Sequence, residues 1–337
     1  MLGWLSWRWV EEPARTGLVR FKKLPQIAVV AGLVLLVAVP AFAIRLQNGV
    51  HGRLDPQIVA IFAEAKNKNP RMQECHVALD TPVPECRYGG EELGAIVIGD
   101  SHAASVVRSV EKAMGDESRH VLDWTLNSCP TIFDIKDLEH GDRYKCGEFV
   151  RSLHDKSKTL NADVPIILVS RISAYLEGPN EHDRKAEAER PRAYITNPSV
   201  NRTPEFYKEV QVGIVDTACA FAKHRPVYML RPIPELKLDV PRSMGRALQI
   251  GQDIRVSVSV EEYEERNRIA WEAQDRAAAE CGVKLLDPRP YLCNNGRCWG
   301  DVDGIPVYYD DDHLSEHGGQ LLIPLFRQMF DQPAQAD

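Results

Sequence analysis

Two short stretches carry the residue types that nucleophilic catalysis by serine requires. One is Ile98-Gly99-Asp100-Ser101-His102; the other is Tyr309-Asp310-Asp311-Asp312-His313-Leu314-Ser315. A serine hydroxyl is a weak nucleophile until a base takes its proton. An imidazole base in turn needs a carboxylate to fix its tautomer and stabilise its charged form. Ser101 offers the hydroxyl and His313 the base. Asp310, three residues before His313, offers a carboxylate that a tight turn folds back onto the ring. Only that spacing is expected to face His313, so Asp311 and Asp312 are expected to contribute little. His102 is set aside as the base for Ser101, because adjacent side chains at a helix start diverge. Two blander readings compete. Ser101 could simply cap a helix, a common task for Ser and Asp. The acidic run with His313 and His317 could bind a metal, although this H-x-x-x-H pair lacks the Glu of the H-E-x-x-H pattern. The expectation is neither metal nor cofactor.

The elements that must position these residues alternate. LGAIVIG (93–99) is a continuous β-branched run bounded by turn residues, which predicts a buried strand. Residues 102–114 follow as a helix with Val106, Val107 and Val110 on one face. Strands are predicted at 120–124, 164–170, 226–232 and 283–288, and helices at 204–224, 261–281 and 314–330. This order implies a parallel sheet covered on both faces, with ligands at the carboxyl ends of its strands. Ser101 stands at such an end, where a helix N-terminus supplies free N–H groups and partial positive charge for an oxyanion. Residues 177–205 read as a charged, proline-bearing inserted loop, or as a merely solvated connection.

The chain of 337 residues has a net charge of −7, which argues against a general nucleic-acid binder. Residues 1–25 carry +3, leaving −10 for the rest. Residues 26–44 contain no formal charge and are long enough to cross most of a bilayer core of about 30 Å. Arg20, Lys22 and Lys23 precede this stretch and only Arg45 follows at once, so the N-terminus is expected in the cytoplasm and residues 46–337 outside. A cleaved signal peptide is the alternative, since AVPAFA resembles a cleavage site. The long basic head with Trp4, Trp7 and Trp9 favours a retained anchor. All eight cysteines follow the span, as expected for disulfides in an oxidising compartment. Eight cysteines allow 105 pairings. Local pairing predicts Cys75–Cys86, Cys129–Cys146 and Cys293–Cys298, which leaves Cys219–Cys281. Zinc is the rival, but there is no CxxC pair. Residues 46–92, polar and rich in proline, read as a linker with one disulfide loop.

The GDSH stretch at the first strand–helix junction and the DxxH stretch before the last helix together resemble the SGNH (GDSL-like) hydrolase superfamily. The resemblance covers about residues 93–330. It implies a flavodoxin-like, three-layer α/β fold of about five parallel strands, preceded here by one transmembrane helix. It also implies Ser101 as nucleophile, His313 as base and Asp310 as its orienter. The superfamily's oxyanion Gly and G-x-N-D Asn are missing. Arg171, in Leu168-Val169-Ser170-Arg171, stands where the Asn is expected, so the Ser101 amide with Arg171 as helper is the expected oxyanion set. Residues 5–15 (LSWRWVEEPAR) resemble the (Y/W)xxxExP segment near the end of the acyltransferase-3 membrane family. In that family a final transmembrane helix can lead into an extracytoplasmic SGNH domain, as in bacterial O-antigen and other glycan O-acetyltransferases.

The resemblance thus divides the chain into a cytoplasmic tail (1–25), a transmembrane helix (26–45), a linker (46–92) and an SGNH domain (93–331). It implies an O-acetyltransferase of the bacterial inner membrane with its domain in the periplasm. Its partners would be a cell-envelope glycan acceptor and an acyl donor delivered by a membrane acyltransferase-3 portion, missing here or on a separate chain. An esterase of the same class is the alternative, because only the final acceptor differs. A glycan-binding domain without catalysis is the second.

Overall fold

Strand β2 (Glu92–Gly99) sits in the middle of the sheet, and the alternation of its side chains explains the layers. Ala95 and Val97 pack to one face with Val106, Val107 and Val110 of helix α3 (Ser101–Met114). Ile96 and Ile98 pack to the other with Trp124, Ile166, Leu168 and Ala273. Both faces are buried, so the strand reads as a continuous apolar run. The computed structural model describes residues 2–19, 23–46, 52–76, 85–181 and 190–331.

The sheet has six strands in the order β1-β3-β2-β4-β5-β6. These are β1 (Cys86–Gly89), β2, β3 (Arg119–Thr125), β4 (Ile166–Val169), β5 (Val227–Leu230) and β6 (Lys284–Leu286). β2 to β6 are parallel, and β1 joins β3 antiparallel at the edge. The parallel strands thus follow the flavodoxin-like order 2-1-3-4-5. Helices Pro204–Ala222 and Val260–Cys281 form at the expected places. The second begins with a Ser259–Glu262 capping box.

In the N-terminal unit, to Pro56, the helical segments Leu2–Ser6, Trp7–Glu11 and Glu12–Val19 precede the helix Lys23–Leu46, of which residues 27–46 are long and apolar enough to cross a membrane. Arg20 and Lys22, which set its expected orientation, lie outside the described residues.

In the second unit three expectations change. The segment expected as a linker is packed onto the domain. Helix α2 (Pro56–Glu64) buries Ile58 and Ile61 one helical turn apart, and Phe62 fills the space above Gly245. Asn69 is buried, donating to the Ala104 carbonyl of α3 at 3.1 Å and pairing with the Tyr88 hydroxyl at 3.0 Å. β1, from the same segment, belongs to the main sheet. The single helix expected over 314–330 is two, Glu316–Gln320 and Ile323–Arg327. Pro324 has no N–H to continue an α-helix, so the chain re-enters as a fresh helix with Pro324 in its first turn. The loop at 177–205 is no merely solvated connection: Ala193–Tyr194 pairs with Lys136–Asp137. Its residues 182–189 lie outside the described residues.

The cysteines pair as Cys75–Cys86, Cys129–Cys146, Cys219–Cys281 and Cys293–Cys298. The first of these ties the extension after α2 to the edge strand.

Candidate active site

Ser101 is the first residue of α3, directly after the tight exit from β2. Gly99 makes that exit possible. A Cβ there would stand 1.7 Å from the Val169 carbonyl oxygen of β4, so only glycine allows the strands this close. Asp100, fully buried, ties the turn together. Its carboxylate accepts from the His102 N–H at 3.0 Å and the Arg171 N–H at 2.8 Å. The Tyr175 hydroxyl donates to it at 3.3 Å. Burial raises the Asp100 carboxyl above its ordinary value, opposed by His102 and these donors. Asp100 takes the His102 amide, and the first-turn Ser101 N–H has no intrahelical partner, so it remains available to an oxyanion.

The second stretch folds back on this corner. The turn is fixed from outside, because the Asp310 and Asp311 carbonyls accept from the N–H groups of Val240 and Leu236. Asp310 closes it from inside, its Oδ1 accepting from the His313 N–H at 2.8 Å. The His313 Nδ1 lies 2.9 Å from Asp310 Oδ2, and Nε2 lies 2.7 Å from Ser101 Oγ. Ser101, His313 and Asp310, the residues expected as nucleophile, base and orienter, therefore meet in one hydrogen-bonded line. Tyr309 stacks on the His313 ring with centroids 5.1 Å apart, and Lys68 of the extension lies over the other face of Tyr309.

Three residues depart from expectation. Asp312, expected to face away, lies 2.8 Å through Oδ1 from His313 Nδ1. Its Oδ2 meets His102 Nε2 at 3.1 Å and Arg171 Nη1 at 2.6 Å. Arg171, expected as an oxyanion donor, gives its guanidinium to carboxylates instead. Nε and Nη2 go to Glu235 and Nη1 to Asp312, while the residue also lines the cavity that Ser101 and His313 face. His102, set aside as a base for Ser101, is part of the site through Asp312 and an edge contact with His313. His317 belongs to neither nearby cluster of convergent ligand atoms, His102–Asp312–His313 or Asp310–Asp311–Asp312. The atoms of the first cluster are already spent on one another and on Arg171.

The electrostatics follow from burial and charge. Burial opposes charging of His313, but Asp312 and then Asp310 outweigh it, and the imidazole is raised to about 10. Asp312 is held well below the carboxylate range: burial works against its charge, and His313, Arg171 and the His102 hydrogen bond overcome it. Asp311 is pushed up to about 8 by burial and by the charge of Asp312. His76, behind Cys75, is lowered to about 4 by burial and by the charge on His313. It makes a 3.1 Å contact with Thr125 Oγ1. The extension thus contributes Lys68 and His76 to the surroundings of Tyr309 and His313, and its reading as a linker concealed both.

Ser101 and His313 open onto a cavity of about 840 Å³ whose walls include Asn127, Ser128, Tyr175 and Arg192. Arg192 comes from the inserted loop and is held by the buried Asp137.

A family model described as the SGNH domain fused to AT3 domains matches residues 74–328. Comparison with curated proteins finds no match. Among solved structures, the periplasmic domain of a lipopolysaccharide acetyltransferase from Salmonella ser. Paratyphi A is similar, with a TM-score of 0.52 at 12% identity over 72% of this chain and 85% of that one. A carbohydrate acetylesterase from Sinorhizobium meliloti, Est24, aligns with a TM-score of 0.38 at 16% identity, over 71% of this chain and 97% of its own. The C-terminal catalytic domain of a Streptococcus pneumoniae peptidoglycan O-acetyltransferase aligns at 0.32 and 15% identity, over 71% and 93%. At these identities the likeness concerns the fold, and only the first has a score above one half.

Proposed function

The chain belongs to the family of SGNH domains fused to AT3 domains, and from that membership we propose that it is a membrane-anchored extracytoplasmic O-acyltransferase, passing acetyl groups to sugar hydroxyls of a cell-envelope glycan. The observation that carries this reading is the contact of Ser101 Oγ with His313 Nε2 at 2.7 Å, with Nδ1 of the same ring on Asp310. Neutral His313 takes the Ser101 proton as Oγ attacks the carbonyl carbon of the acyl donor. The oxyanion that forms is held by the Ser101 amide at the helix N-terminus. As the tetrahedral species collapses, the imidazolium gives its proton to the leaving group, and an acyl-Ser101 ester remains. A sugar hydroxyl in the 840 Å³ cavity then attacks that ester. His313 accepts its proton and returns one to Ser101 Oγ, which leaves. Water in the place of the sugar makes the same site an esterase.

The acyl donor would be delivered by an AT3 membrane portion, on this polypeptide or another. The helix Lys23–Leu46 would hold the domain at the inner membrane, N-terminus in the cytoplasm and domain in the periplasm. The test is glycan acetylation in a strain lacking the native enzyme and complemented with full-length protein. Ser101→Ala abolishes it in this account. Wild-type acetylation by a folded Ser101→Ala protein excludes the mechanism. Deacetylation of glycan by the wild type without any transfer turns the reading to the esterase.

A further inference from the structure

We propose that Asp312 is a second carboxylate of the catalytic apparatus, a positioning residue that governs how readily His313 carries charge while Asp310 governs the orientation of its ring. The inference rests on the reading of Ser101 and His313 as nucleophile and base.

Geometry separates the two carboxylates. Both Asp310 oxygens meet His313 Nδ1 as hydrogen-bond acceptors, at 2.9 and 3.1 Å, and Asp310 also binds the His313 N–H. Asp310 therefore fixes which nitrogen carries the proton and where the ring points. Asp312 lies as close, at 2.8 Å, as an ion-pair partner of the same nitrogen. Their exposures differ greatly: the Asp310 side chain is 29% accessible and that of Asp312 only 3%. Solvent screens the first charge and hardly screens the second, so Asp312 acts on the ring through a lower effective dielectric.

Asp312 is also built to stay charged. A lone buried carboxylate would take a proton rather than lose its hydration. Here Oδ2 is shared by His102 Nε2 and Arg171 Nη1, and Arg171 is anchored in turn on Glu235, which Arg266 also holds. The chain of contacts runs from the residue after the nucleophile to the residue before the base. It links the two halves of the triad by a route that does not pass through Ser101.

The other groups facing His313 do not supply this charge. From its own turn, Tyr309 stacks on the ring, with the Lys68 cation beyond it, and Asp311 is pushed toward its neutral form. From α3 come His102 and the Ser101 hydroxyl, and the buried Asp100 precedes them. From the extension comes His76, held toward neutrality. Arg171 opposes charge on the ring, so Asp312 is the buried anion in direct contact that favours it.

The test follows the rate at which a fluorophosphonate labels Ser101 across pH in the full-length protein, together with the NMR titration of the His313 ring. Labelling needs neutral His313, so the wild-type rate rises with pH through the ring's titration. Asp312→Asn moves that limb to lower pH by about tenfold or more in proton concentration, the scale of losing an adjacent opposite charge, and leaves the plateau nearly intact. Asp310→Asn lowers the plateau itself by roughly 10²–10⁴-fold. If Asp312→Asn does not fold, Asp312→Ser is read instead. It removes the same buried charge, and the limb again moves to lower pH. A limb unmoved in whichever folded variant is read overturns the proposal, as does a wild-type His313 titrating near an ordinary imidazole value. If a Ser101→Ala protein is labelled like the wild type, the triad reading has failed. If it is unlabelled while Asp312→Asn leaves the limb unmoved, only this inference has failed.

Discussion

Replacing Gly99 by alanine tests the link between the strand exit and the chemistry two residues later. The added Cβ would stand 1.7 Å from the Val169 carbonyl oxygen, a backbone atom that cannot rotate away, whereas ordinary contact begins near 3.4 Å. About 1.7 Å must therefore be found by parting β2 from β4 at the position where Gly99 and Val169 are in register. Overpacking of this kind costs about 1–3 kcal/mol. A strained hydrogen bond from the Leu126 N–H to the Gly99 carbonyl adds about 1 kcal/mol. The sum, on the order of 2–4 kcal/mol, is a large part of an ordinary domain's 5–15 kcal/mol, yet smaller than the whole. Gly99→Ala should therefore fold but be visibly weakened in denaturant titration. The strain falls beside Ser101, and a misplacement of about 1 Å can cost on the order of 10²-fold in rate. The fluorophosphonate labelling rate should drop by that order. A folded Gly99→Ala protein with wild-type stability and labelling would refute the argument that close strand approach sets the position of the nucleophile.

Three further outcomes are expected. The folded-state pKa of His313, about 10, lies above the ordinary 6.5. Stability from the charged ring is thus complete below the ordinary value and lost as pH rises through the folded one. Chemical denaturation of wild type against His313→Gln should show a gap on the order of 3–5 kcal/mol at pH 6 that closes above pH 10, opposite in direction to the rise in activity; a gap independent of pH contradicts the ion pairing. Removing the Cys75–Cys86 bridge by a double alanine substitution should cost about 2–3 kcal/mol, given its short sequence separation of 11; an unchanged unfolding midpoint contradicts its role as a tie. Alkaline phosphatase fused after residue 60 should be active, and inactive after residue 10, given the basic cluster ahead of the apolar helix; the reverse pattern overturns the proposed orientation.

Much of the fold was legible in the sequence, because its signals are local. The run at 93–99 is apolar on both faces, and glycine and serine mark the point where strand gives way to helix. Asp310 and His313 are joined by one turn, so their spacing alone predicts their meeting, and the structure brings both to Ser101. The rest depends on surfaces far apart in the chain. Ile58 and Ile61 look like stray apolar residues in a polar, proline-bearing segment until the domain surface that covers them is in place. Three consecutive aspartates offer three carboxylates, and the turn alone cannot say that Asp312 would be buried. Arg171 and His102 make that so, and neither is near it in sequence. Arg171 drew attention by position in the strand, but its role depends on Glu235, a partner that no spacing announces. The break near Pro324 was readable from proline chemistry, and the apolar periodicity of 314–330 concealed it.

In the proposed mechanism Ser101 carries the acyl group. The most direct measurement is intact-mass and peptide analysis of the full-length protein after brief exposure to an activated acetyl ester. One acetyl adduct is expected, mapped to Ser101 in wild type, with no adduct in Ser101→Ala and a strongly slowed one in His313→Ala. An adduct on another residue, or equal acetylation of Ser101→Ala, would contradict the mechanism.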